Sequence, residues 1–118
     1  MSLRSLHGVP TWACPLDGAK LDGERAATDI IGEAFGVDAK LVAIPVERLG
    51  DGFLDLRTRV AGEVIQKFVN YGFQVAFVGD VSAAIARSTA LGDFVRESNR
   101  GRHVWFVADF AELESKLG

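Results

Sequence analysis

Short apolar runs alternate along this chain with longer segments whose apolar residues recur at helical spacing. Four runs have the length of strands and are rich in β-branched and aromatic residues. They read VPTWACP (9–15), LVAIPV (41–46), FQVAFVGD (73–80) and RHVWFVAD (102–109). The second and third are nearly continuous in apolar residues, which is typical of strands buried on both faces.

Segments with helical periodicity follow these runs. They cover residues 24–36, 53–72, 82–101 (as one or two helices) and 110–117. Gly36 and Gly72 are natural C-terminal stops, whereas Ser82 and Ser88 are candidate N-caps. The pattern therefore predicts four or five helices, with the strongest periodicity in residues 53–72.

Strict alternation of strand and helix with short connections indicates parallel strands joined by helical crossovers. We predict a single α/β domain over residues 1–118, a small layered fold with one mainly parallel sheet of about four strands and helices packed on it. A chain of 118 residues with 48% hydrophobic residues suffices for one such core.

Charge and cysteine content narrow the classes of function. The net charge is −3 and the pI is near 5.3, so binding to nucleic acid through a basic face is not expected. The first fourteen residues contain no unbroken apolar run, so no membrane anchor is expected. A single cysteine fits a reducing compartment, and we predict a cytoplasmic protein.

The sequence contains few candidates for a nucleophile, a metal ligand or a phosphate-binding loop. Cys14 lies in the first predicted strand without a motif around it, and His7 and His103 are far apart in the sequence. No glycine-rich phosphate loop follows any predicted strand. We therefore expect no metal, no cofactor and a binding role rather than catalysis, although an Asp and Arg pair suffices for simple acid/base chemistry.

Open α/β sheets bind ligands beyond the carboxyl ends of their parallel strands. The polar residues that follow the predicted strands are therefore candidate ligand-binding residues for a small anion or metabolite: Arg48, Asp55, Arg57, Asp80 and Ser82. The alternative is structural, because Asp55, Asp80 and Asp109 each stand where a carboxylate would cap the following helix.

The polar face of residues 53–72 has a structural interpretation as well. Asp55, Arg59, Glu63 and Lys67 are spaced by four, which predicts a ladder of alternating charges along a helix. Arg57, Gln66, Asn70 and Tyr71 lie outside that ladder and leave room for a partner surface.

The segment RESNRG is a candidate anion site or interface. Arg96 and Arg100 are one helical turn apart and together would hold a carboxylate or phosphate, or else they simply complement a helix C-terminus. Asn99 is expected to bond its own backbone in a tight turn. Trp105 would mark an interface if exposed; the alternative is burial under the last helix.

Several strings resemble a bacterial family catalogued as domain of unknown function 4180. They are IPVERL, GE-x-x-QKF-x-NY within residues 53–80, TALGDFVRESNRG and VWFV, and the resemblance runs from about Asp29 to Val107. It implies kinship and no particular activity.

The order of elements also resembles that of STAS domains, which include the anti-sigma-factor antagonists. Their phosphorylatable serine lies in a turn that opens a helix, and the matching place here reads Asp55-Leu56-Arg57-Thr58. Asp55 matches, but Thr58 offers the only hydroxyl. We expect a binding or regulatory module that acts through protein contact or self-association as a homodimer, or alternatively a small-anion or metabolite binder or weak enzyme.

Overall fold

The computed structural model describes residues 3–117 and contains a five-stranded sheet with helices on both of its faces. The strands are β1 (Leu3–Leu6), β2 (Val9–Ala13), β3 (Leu41–Pro45), β4 (Gln74–Val78) and β5 (Val104–Val107). The helices are α1 (Glu24–Gly36), α2 (Val60–Asn70), α3 (Ser82–Arg87), α4 (Thr89–Arg100) and α5 (Phe110–Leu117). The α/β class and the four predicted strands are confirmed.

The strands lie in the sheet in the same order as in the chain, β1-β2-β3-β4-β5. The three pairs from β2 to β5 are parallel, and β1 is antiparallel to β2. The sequence did not predict β1. A two-residue turn of His7 and Gly8, with φ of 52° and 78°, joins it to β2, and positive φ at both positions is what a tight hairpin requires.

Two apolar clusters lie on opposite faces of the sheet. On one face, Val42, Phe77 and Phe106 pack under α1, α2 and α4. On the other, Trp105 and Val107 pack with Leu113 of α5. Alternate residues of β3, β4 and β5 thus enter different cores, which explains the continuous apolar runs in the sequence.

Helix α2 is shorter than its periodicity predicted. Residues Leu56–Thr58 form a separate 3₁₀ turn, and Arg59 has a φ of 65°, so the α-helix begins only at Val60. The predicted ladder of charges is wrong, because Asp55 lies outside the helix and pairs with Arg57 instead. Within residues 3–117 no ion pair joins Arg59 to Glu63 or Glu63 to Lys67.

Residues 82–101 form two helices. Ser88 caps α4 by accepting a hydrogen bond from the Leu91 amide at 3.1 Å, as predicted. Ser82, by contrast, is the first residue of α3 and not its cap. The carboxylate of Asp80 accepts from the Ser82 amide at 2.8 Å and takes that role.

Candidate functional site

A cavity of about 500 Å³ lies at the carboxyl ends of all four parallel strands. Each strand from β2 to β5 contributes residues at or just beyond its end, and β1 and α5 close the sides. The lining residues are Arg4, Ala13, Cys14, Pro15, Leu16, Pro45, Glu47, Val78, Gly79, Ala108, Asp109 and Phe110. This is the edge at which parallel α/β sheets commonly hold ligands, and the volume lies within the range of small-molecule sites.

A proline and a glycine lie at two of these strand ends, and each restricts the backbone there. Pro45 has no amide hydrogen and ends β3. Gly79 follows β4 with a φ of 142°, and a Cβ there would clash with Cγ2 of Val46. A residue with a side chain at position 79 would therefore push against the chain that follows β3.

Arg4 reaches this edge because β1 is antiparallel to its neighbour. Its register places Leu3 beside Trp12, so the beginning of β1 lies near the end of β2. The Arg4 guanidinium lies over the ring of Phe110, 4.5 Å from its centroid. A cation over an aromatic face is attracted by the ring and is restrained in position.

Cys14 lines the cavity as a protonated thiol. It is 7% exposed, and burial raises its pKa from 9.0 to about 12, partly offset by the positive charge of Arg48. The thiolate is the nucleophilic form of cysteine. At neutral pH Cys14 therefore contributes a weakly polar wall rather than a reactive group.

Arg48, a predicted ligand-binding residue, does not line this cavity. It is 9% exposed, and it donates to the carbonyl oxygens of Ala19 and Pro15, both at 2.9 Å. Its guanidinium also lies against Gly18, where a Cβ would come within 2.9 Å of Cζ. Arg48 thus holds the loop after β2 and lines a smaller depression of about 260 Å³.

Asp55 and Arg57 lie together in another depression of about 500 Å³, beside α3. Two hydrogen bonds of 3.0 Å join the guanidinium to the carboxylate, and the Asp55 carboxylate also accepts from the Arg57 amide at 3.1 Å. These bonds to Arg57 lower the pKa of Asp55. Because the Arg57 guanidinium is already paired with the Asp55 carboxylate, we expect it to bind a free anion only weakly.

The capping role predicted for three aspartates is confirmed. Asp55 accepts from the Arg57 amide at the start of the 3₁₀ turn, Asp80 accepts from the Ser82 amide, and Asp109 accepts from the Glu112 amide at 2.9 Å. The hydrogen bonds at Ser82 lower the pKa of Asp80.

Thr58 occupies the place of the hydroxyl suggested by the STAS resemblance. Its Oγ1 lies 2.7 and 2.8 Å from the carbonyl oxygens of Gly52 and Asp55. The same oxygen accepts from the Val60 amide at 3.3 Å, at the start of α2. The hydroxyl therefore stabilises this turn through hydrogen bonds to the backbone on both sides of it.

Arg96 and Arg100 do not form a joint fork in the structure. Arg96 pairs with Asp93 at 2.9 Å and Arg100 pairs with Glu97 at 3.2 Å, each with its own carboxylate one turn earlier on α4. Both pairs are well exposed, and such pairs contribute little to stability.

Asn99 does not bond its own backbone, contrary to the prediction. It belongs to α4, and its side chain accepts from the Phe106 amide at 2.7 Å and donates to the Phe106 carbonyl at 3.2 Å. Both backbone groups of Phe106 at the outer edge of β5 are thereby satisfied. Trp105 is 5% exposed, lies beneath α5 and donates to the Gly101 carbonyl at 3.0 Å, so it is not an exposed anchor.

None of the five predicted ligand-binding residues lines this cavity, and sequence reasoning did not name Arg4, Cys14 or Phe110 as ligand-binding candidates. Arg4 belongs to the strand that the sequence did not predict. The turn signal His7-Gly8 between LRSL and VPTWA was the information available to find it.

Two further properties concern the described residues. Residues 3–117 contain no group of three His, Cys, Asp or Glu side chains placed to hold a metal ion. No helix among them is both long and apolar enough to cross a bilayer.

A sequential, mainly parallel sheet with helices on both faces and a cavity at its strand ends defines a small layered α/β protein. The chain matches the profile of the family described as domain of unknown function DUF4180 over residues 6–117, and it belongs to that family. The match extends the resemblance from the central segments to nearly the whole chain. Comparison with curated proteins and with solved structures found no significant match.

Proposed function

We propose that this protein is a binding module that holds a small molecule in the cavity at the strand ends. The observation that carries the proposal is the convergence of four parallel strand ends on one cavity of about 500 Å³. Apolar walls, such as those of Val78 and Phe110, together with a few charged groups at the rim are the usual composition of a ligand site. The protonated Cys14 favours binding over thiol catalysis.

A cavity-filling substitution tests this proposal. Ala108 lines the cavity and is exposed, so Ala108→Trp should fill it without disturbing either core. Ala111, also exposed, lies on α5 outside the lining, and Ala111→Trp is the matched control. A metabolite library is screened by amide chemical shifts of the ¹⁵N-labelled protein.

We expect at least one compound to shift the amides of Gly79, Ala108 and Phe110. The Ala108→Trp variant should lose that binding, and Ala111→Trp should keep it. A screen in which no compound shifts these amides, or equal binding by both variants, would count against a ligand site here.

An exposed aromatic pair favours protein contact or self-association as a second function. Phe35 and Tyr71 are 52% and 51% exposed, and their rings meet edge to face at 6.0 Å. They lie at the C-terminal ends of α1 and α2, away from the strand-end cavity. Aromatic residues, Phe and Tyr among them, are enriched in protein–protein interfaces.

Sedimentation equilibrium up to about 1 mM tests self-association through this pair. We expect association that is lost in the double variant Phe35→Ser, Tyr71→Ser and kept in Leu16→Ser, which removes a side chain exposed to 66% elsewhere. A protein that stays monomeric throughout this range excludes the homodimer.

A further inference from the structure

Charged side chains of both signs line the strand-end cavity without forming an ion pair with each other. Arg4, Glu47 and Asp109 all line it. Nevertheless, the ion pairs within residues 3–117 are those of Arg57, Arg96 and Arg100, so the Arg4 guanidinium lies more than 4.0 Å from either carboxylate. The guanidinium lies over the Phe110 ring instead.

The two carboxylates are not equally available. Asp109 already accepts from the Glu112 amide. Glu47 is bonded through its backbone carbonyl to the Lys20 ammonium at 2.6 Å, and its carboxylate accepts no hydrogen bond from the described residues. Glu47 is therefore the acceptor best able to take a donor from a ligand.

A ligand with a single charge would fit this arrangement poorly. A simple anion paired with Arg4 would lie in a cavity with two carboxylates, and a simple cation paired with Glu47 would share the cavity with a guanidinium. A molecule with both charges meets a partner for each. Charge-assisted hydrogen bonds of this kind are also the strongest available to it.

We infer that the cavity takes a small zwitterion, with a carboxylate held by Arg4, an ammonium group held by Glu47 and an apolar part against Phe110. Free amino acids are the simplest members of this class. The inference rests on the proposed function, because it names the ligand class of the same cavity.

The test compares ligands that differ by one charge. Phenylalanine is titrated beside phenethylamine, which lacks the carboxylate, and 3-phenylpropanoate, which lacks the amine. Leucine is titrated beside isoamylamine and 4-methylpentanoate in the same way. Binding is followed by the amide shifts of Gly79, Ala108 and Phe110.

We expect at least one of the two amino acids to bind at least about tenfold more tightly than both of its analogues. Arg4→Gln should make that amino acid and the corresponding amine bind equally, and Glu47→Gln should make it and the corresponding acid bind equally. Arg102→Gln, an exposed arginine outside the cavity, is the matched control. Amide spectra verify that each variant is folded.

The outcomes separate the two proposals. If an amine or an acid alone binds as tightly as its amino acid, or if Arg4→Gln changes nothing, the zwitterion is wrong and the cavity remains a ligand site. If neither amino acid binds while a library compound that is not a zwitterion shifts the cavity amides, the zwitterion is again wrong. If nothing shifts those amides, both proposals fall.

Discussion

Gly79 follows β4 with a φ of 142°, in a region of backbone space that residues with side chains rarely adopt. Its missing Cβ also leaves room for Val46. Arg48 shows the converse case, in which the side chain itself holds the fold: its Nε and Nη1 donate to two loop carbonyls, and its guanidinium lies against Gly18. Gly79 shapes the cavity wall through the side chain it lacks. Arg48, although predicted to bind a ligand, holds the loop after β2 instead.

Gly79→Ala should lower the free energy of unfolding by about 2–4 kcal/mol, because it adds backbone strain and a clash at once. Urea unfolding gives the value. Gly32→Ala is the control, since Gly32 is exposed in the middle of α1 and a Cβ there meets nothing within 4 Å. That variant should gain roughly 0.5–1 kcal/mol. Equal stability of both variants would contradict the explanation.

Arg48→Met should cost about 1–3 kcal/mol, because the carbonyl groups of Ala19 and Pro15 lose their donor. Arg48→Lys should recover little, since an ammonium group cannot reproduce the two-point geometry of the guanidinium. Urea unfolding of both variants checks this, with Arg102→Met as the exposed control. A lysine variant as stable as the parent protein would show that charge alone matters.

At the scale of elements, side chains of two helices, α4 and α5, satisfy backbone groups along the β5 edge of the sheet. Along β5, Asn99 of α4 satisfies the outward amide and carbonyl of Phe106, and Glu112 of α5 accepts from the Ala108 amide just beyond the strand. Unpaired strand edges invite pairing with other chains. These two side chains therefore end the sheet at β5.

Asn99→Ala should destabilise the protein by about 1–3 kcal/mol, because it leaves two backbone groups without partners. Hydrogen exchange should lose protection at the Phe106 amide more than at β4 amides. Asn70→Ala, which removes an exposed side chain bonded only to Gln66 at 2.8 Å, is the control and should have little effect. Unchanged protection of the Phe106 amide would show that the Asn99 side chain does not stabilise the edge of β5.

At the scale of the whole molecule, stability comes mainly from the two apolar clusters and little from charge. The radius of gyration of 13.1 Å matches the value of about 13.5 Å expected for a compact domain of this length. The three ion pairs within residues 3–117 are exposed, and pairs of that kind contribute little. Acid stability is governed instead by the carboxylates whose pKa values folding changes.

Stability should fall as the pH drops below about 4, partly through Asp55 and Asp80. Hydrogen bonds in the folded state lower the pKa of both from their ordinary value of 3.8. Their contribution to the free energy of unfolding is therefore present above pH 3.8, and it is lost as the pH falls through the lower pKa values of the folded state.

Urea unfolding between pH 7 and pH 2 measures this contribution. The double variant Asp55→Asn, Asp80→Asn should flatten the acid limb of the stability curve. Asp29→Asn is the control, because the Asp29 carboxylate accepts no hydrogen bond from residues 3–117. An acid limb as steep as that of the parent protein would assign the effect to other groups.

The edge of the sheet that carries the cavity followed from the sequence, because parallel strands align their carboxyl ends. The lining was less predictable. Pro45 and Glu47 stand beside a predicted strand end, whereas Arg4 and Phe110 come from opposite ends of the chain and meet only after folding. Ser82 and Arg59 were misjudged for a local reason, since hydrophobic periodicity does not report where the backbone leaves the helical region.

The sequence by itself determined the class of fold, four of the five strands and the capping aspartates, because hydrophobic periodicity and caps depend on residues a few positions apart. Only the tertiary structure decided which polar groups work together. Arg48 reaches carbonyls 29 and 33 positions away, and Arg4 lies on Phe110. Such pairs depend on the order of strands in the sheet, which a local pattern does not encode.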